Sequence, residues 1–170
     1  MSIFSVVLFH RGGSWHGAEL ELEEDVATID DIADRMRDAA LAGDVSPDGE
    51  TMLLLIEADD EWFGIVRVDG HEEPRVFLSD SRVMNDYTMA ALLVESGGMT
   101  PPEQVEGTGQ KPHPTPGGDR ELLGDLGVTE AELTALTASE GTLPGDALTS
   151  LAEQVGFDEV LEPLRFAQGL

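Results

Sequence analysis

Met52-Leu53-Leu54-Leu55-Ile56 is an unbroken run of five apolar residues, and its reading decides the fold. A strand with one wet face alternates, whereas a continuous apolar run of this length is the pattern of a strand buried on both faces or at the centre of a sheet. Downstream, the acidic turn Asp59-Asp60-Glu61 leads into Trp62-Phe63-Gly64-Ile65-Val66-Arg67-Val68. Asp69-Gly70 signals another reversal, and Arg75-Val76-Phe77-Leu78 follows Pro74 as a fifth strand. Upstream, residues 3–10 and 14–22 read as two strands of a hairpin around Arg11-Gly12-Gly13. Between hairpin and spine, Ile29, Ile32, Ala33, Met36 and Ala40 recur at helical spacing, after Thr28 as N-cap and before Gly43 as stop. A second helix carries Val83, Tyr87, Ala91 and Val94, opens after Ser79-Asp80-Ser81 and ends at Gly97-Gly98. The order ββαβββα predicts an α+β domain over residues 1–95: an antiparallel sheet of about five strands with two helices on one face.

Residues 96–118 hold six glycines and five of the nine prolines. Such composition cannot offset ordering entropy by burial, so this stretch reads as a flexible linker. Residues 119–170 then read as a small all-helical module. Asp119 caps a short helix bearing Leu122, Leu123 and Leu126, and Thr129 to Glu132 is a capping box ahead of Leu133 and Leu136. Pro144 and Asp146 open a third helix, with Leu148, Leu151, Ala152 and Val155 before Gly156, and Phe157, Val160, Leu161 and Leu164 extend beyond it. About 50 residues of short helices are marginal alone, so the module either forms a bundle of its own or takes a docking surface.

Thirty-five Asp and Glu against nine Lys and Arg give the 170-residue chain a net charge of -26. The excess lies on both parts, -16 in residues 1–96 and -10 in residues 97–170. Phosphate backbones and anionic membrane surfaces both select for Lys and Arg, so direct nucleic-acid binding and membrane binding are excluded. The chain lacks cysteine, which removes disulfides, thiolate nucleophiles and thiolate metal sites. No signal-peptide pattern opens the sequence, and a cytoplasmic location is expected.

Candidate chemistry is sparse. His10 and His16, on opposite arms of the first hairpin with Glu19 near, could hold a divalent ion, although their spacing does not demand it. Acidic clusters such as Glu23-Glu24-Asp25 lack the calcium-loop spacing and read as solvated turns. Ser79-Asp80-Ser81 lacks the glycines of a nucleophile elbow, and neither a Walker loop nor a dinucleotide fingerprint is present. No metal or cofactor is expected. What stands out is the placing of scarce arginines. Arg67 and Arg75 flank one hairpin and Arg82 opens the second helix, where each should meet several carboxylates and organise ion pairs. With Trp62 and Asp80 they are the candidate interaction residues.

The stretch from Asp60 to Gly70, followed by Pro74 to Arg82, resembles the tRNA adenosine deaminase-associated proteins of actinobacteria. The tail resembles the same family through Gly118-Asp119, Leu122 to Val128, Leu143 to Leu148 and Gly156-Phe157. The resemblance implies a connection with the enzyme that converts adenosine to inosine in the tRNA anticodon. It does not imply that enzyme itself, whose zinc is held by His-x-Glu and Pro-Cys-x-x-Cys segments. The expectation is thus a non-enzymatic accessory protein that contacts or regulates a tRNA adenosine deaminase, either as helper or as inhibitor. Two alternatives stand beside it: a metal-binding protein or enzyme using the hairpin histidines, and a homo-oligomer whose tail helices dock on a neighbouring chain.

Overall fold

The computed structural model describes residues 3–11, 14–20, 28–42, 51–58, 62–69, 73–79, 88–96, 117–119, 121–138 and 144–167. Its strands are β1 (Ile3–Arg11), β2 (Ser14–Glu19), β3 (Thr51–Ala58), β4 (Trp62–Asp69), β5 (Arg75–Leu78) and β6 (Gly117–Gly118). They form one antiparallel sheet in the order β2-β1-β3-β4-β5-β6. The expected ββαβββα order is present, with α1 (Ile29–Ala42) and α2 (Thr88–Ser96) as its helices. A C-terminal helical module follows: a 3-10 turn (Gly124–Leu126), α3 (Glu130–Ala138), α4 (Pro144–Val155) and α5 (Asp158–Ala167).

The unbroken apolar run lies in β3 and feeds two cores, because successive side chains on a strand point to opposite faces. Met52, Leu54 and Ile56 join Val7, Phe9, Trp62, Val66, Val68 and Val76 on the face covered by α1 and α2. Leu53 and Leu55 join Phe4, Val6, Leu8, Phe63, Ile65 and Phe77 on the other face, which the C-terminal module covers with Leu122, Leu133, Leu148, Leu151 and Phe157. The module therefore finds its docking surface on its own sheet. Of the segment expected as linker, the described residues are Ser96, which ends α2, and Gly117 and Gly118, which pair with Leu78 and Phe77.

Local chemistry sets the helix ends. Thr28 and Asp31 cap α1 reciprocally at 3.1 and 3.2 Å, and Thr129 and Glu132 cap α3, with the Glu132 N–H donating to Thr129 Oγ1 at 3.1 Å. Gly127 and Gly156 close their turns at φ of 100° and 106°, a region that favours glycine. Gly17 serves another purpose. A Cβ there would lie 2.7 Å from Val160 Cγ1 and 3.0 Å from Leu164 Cδ1, so its bareness lets α5 lie directly on β2.

Candidate functional site

A charged constellation that joins sheet and module is built on β4 and β5. Arg67 and Arg75 face each other across that ladder, at the positions that continue the Phe63, Ile65 and Phe77 face. Like charges directly opposite are unfavourable, and three aspartates offset them. Arg67, 5% exposed, donates from Nη1 to Asp125 Oδ1 at 2.5 Å and from Nη2 to Asp125 Oδ2 at 2.7 Å. Nη1 also donates to the Leu122 carbonyl at 2.6 Å, and Nε reaches the Asp69 carboxylate at 3.1 Å. Arg75 donates to Asp119 at 3.3 Å and to Asp69 at 3.2 Å. Asp69 further accepts from Thr51 Oγ1 at 2.9 Å. Asp119 is tied to the β5 edge by its own N–H, which donates to the Val76 carbonyl at 2.8 Å, and its carboxylate accepts from the Glu121 N–H at 2.9 Å.

This geometry is a fork-to-fork arginine clamp, and it holds the first turns of the module against the sheet. The hydrogen bond to Asp125 raises the pKa of Arg67, against the opposing effect of burial. The same bond lowers that of Asp125 below the ordinary carboxylate value. Beside the clamp, Arg75, Asp119, Glu121, Gly124, Asp125 and Glu130 line a cleft of about 550 Å³. Its lining is acidic apart from Gly124 and Arg75, and the two terminal nitrogens of Arg75 are already engaged with carboxylates. Chemically it offers a field attractive to cations and basic groups rather than a nucleophile beside a base.

Of the expected interaction residues, the structure brings Arg67 and Arg75 together. It places Trp62 on the opposite face, fully buried among the residues under α1 and α2; Asp80 and Arg82 lie outside the described residues. His10 pairs with Trp15, and His16 pairs with Phe9. The two imidazoles thus belong to opposite faces of the hairpin and cannot share one ion. The His10 ring instead packs edge-on against Trp15 at 5.0 Å, and Trp15 packs against Phe157 at 5.5 Å. Among the described residues no group of three or more His, Cys, Asp or Glu is placed to hold a metal ion. The carboxylates of Asp69 and Asp125 were not singled out in the sequence; the signal available was only that a chain so poor in arginine must surround each one with acids.

Fold and clamp together define an acidic α+β protein, an antiparallel sheet with helices on one face and a clamped helical module on the other. The chain belongs to the family described as Rv3753c-like tRNA adenosine deaminase-associated protein, whose model matches residues 3–158. It is similar to Protein Rv3753c of Mycobacterium tuberculosis (strain ATCC 25618 / H37Rv), 32% identical over 108 residues, which are 63% of this chain and 60% of that protein. The match thus spans about three-fifths of the curated relative's length. No solved structure matches the chain. No helix among the described residues is long and apolar enough to cross a membrane.

Proposed function

We propose that this chain is a non-enzymatic cytoplasmic accessory protein that contacts a tRNA adenosine deaminase and regulates it through its acidic surface. The observation that carries the proposal is the family match across residues 3–158. The net charge of -26 supports it: an enzyme that holds tRNA needs a basic surface, and an acidic protein is steered toward such a surface. The engagement of Arg67 and Arg75 with aspartates is consistent with it, because guanidiniums already bound to the protein's own carboxylates are not offered to phosphates.

Co-purification of the two proteins at low salt and its loss at high salt is the expected result, since exposed charges are screened within a Debye length. Absence of association at either salt overturns the proposal. Deamination of tRNA measured with and without this protein then separates a helper from an inhibitor that mimics phosphate.

A further inference from the structure

The two edges of the sheet are finished differently. At one, β5 is closed: β6 pairs with Phe77 and Leu78, and the Asp119 N–H takes the Val76 carbonyl. At the other, β2 ends the strand order, and among the described residues no strand pairs with its outer side. The register tells which groups are open there. The Leu20 N–H donates to the Ser5 carbonyl at 3.2 Å, so by alternation Val7 with Ala18 and Phe9 with His16 are hydrogen-bonded pairs. Trp15, Gly17 and Glu19 therefore direct their N–H and C=O groups outward.

Proteins ordinarily blunt such an edge with charge, proline or a bulge. Ser14-Trp15-His16-Gly17-Ala18 holds neither a charge nor a proline, in a chain of which 26% is charged. Half-covered apolar side chains flank the edge: Trp15, Val160 and Leu164 on the module's face, Ala18 and Leu20 on the other. α5 lies over the face of Gly17, where a Cβ would point, and among the described residues no strand occupies the edge itself. A strand added here would cover those side chains while pairing with the open backbone.

Charge selects the occupant. Glu19 begins the run Glu19, Glu21, Glu23, Glu24 and Asp25 in the sequence, and a second copy of this chain brings a further -26. Self-association is opposed by that repulsion, whereas a basic segment is drawn in. We propose that β2 is a docking edge which takes an extended segment of another polypeptide as a seventh strand, apolar at alternate positions and bearing Lys or Arg at the end beside Glu19. This inference stands apart from the deaminase link.

The test uses a displayed library of random nine-residue peptides selected on the full chain and counter-selected on Glu19→Pro. The Glu19 side chain is exposed and its N–H points outward, so proline there removes one open donor without touching the β1 ladder. Glu19→Gln removes only the charge. Enriched peptides are expected to alternate apolar residues, to carry Lys or Arg, and to bind Glu19→Pro at least about tenfold more weakly than wild type. Glu19→Gln should weaken the same peptides about two- to fivefold. Amide exchange read on the wild-type chain should slow at Trp15, Gly17 and Glu19 when such a peptide binds, and this decides the matter even where the proline variant fails to fold. The proposal is overturned if selection returns no peptide above background, or if the peptides lack a basic bias. Equal binding to wild type and Glu19→Pro overturns it as well. So does light scattering that shows concentration-dependent dimers protecting these same amides, which would assign the edge to a second copy.

Discussion

Replacing Arg67 by leucine tests whether the clamp holds the module to the sheet. The substitution deletes the paired bonds to Asp125, the bond to the Leu122 carbonyl and the contact with Asp69. Stranding the partner of a buried ion pair costs about 3–5 kcal/mol, but here the survivors differ. Asp125 is 64% exposed and rehydrates, and Asp69 keeps Arg75 and Thr51. The Leu122 carbonyl, by contrast, loses its donor inside the protein, a penalty of about 1–3 kcal/mol. Arg67→Leu should therefore destabilise by about 2–4 kcal/mol. Asp125→Ala leaves Arg67 with Asp69 and the Leu122 carbonyl, so it should cost only about 1–2 kcal/mol. Urea unfolding at neutral pH, followed by the fluorescence of Trp15 and Trp62, measures both through the midpoint at constant slope. An Arg67→Leu protein within about 0.5 kcal/mol of wild type, or one more stable than Asp125→Ala, would refute the assignment of the clamp.

Acid should erase the effect of Asp125→Ala. The folded-state pKa of Asp125 lies below its unfolded value, so its contribution is full above the unfolded value and is lost as pH falls through the folded one, below about pH 4. The raised Arg67 pKa contributes at every pH below its unfolded value and fades only in strong alkali. The stability difference between wild type and Asp125→Ala should be constant near neutral pH and shrink steadily as pH falls below about 4; a difference that does not shrink with acid contradicts the pairing. Gly17→Val should raise α5 off β2, because a Cβ would meet Val160 and Leu8 at 2.7 and 2.9 Å. A loss of about 1–3 kcal/mol in thermal or urea unfolding is expected, with Gly17→Ala milder. A chain ended at Pro116 should bind the dye ANS and lose cooperative unfolding, since Phe4, Leu8, Phe63 and Phe77 lose their cover; sharp unfolding without dye binding would show that the sheet stands alone.

The fold was legible where burial imposes a period. Met52 to Ile56 reads as a strand buried on both faces or central in the sheet, and β3 is both, while the capping box at Thr129 locates the start of α3 to the residue. β6 left no such trace: two glycines carry no side-chain alternation, and their pairing with Phe77 and Leu78 spans about forty residues of chain. The clamp was legible on one side only. Arg67 and Arg75 stood out by scarcity, but Asp125 lies 58 positions from Arg67 among 35 acids, and no local rule selects it. The histidine pair fails for a reason that was countable. A hairpin closed by Arg11 and Ser14 pairs His10 with Trp15, so a residue one step further along belongs to the other face.

The module that covers the sheet's second face is made after the sheet that it covers. When Ser96 has just been added to the growing chain, Phe4, Leu8, Leu55, Phe63 and Phe77 already exist, yet Leu122, Leu148 and Phe157, which will bury them, do not. At about 5–20 residues per second, synthesis of residues 97–170 takes on the order of 4–15 s. For that interval the nascent sheet presents an apolar plane to its surroundings, and the net charge of -16 carried by residues 1–96 opposes contact between two such chains.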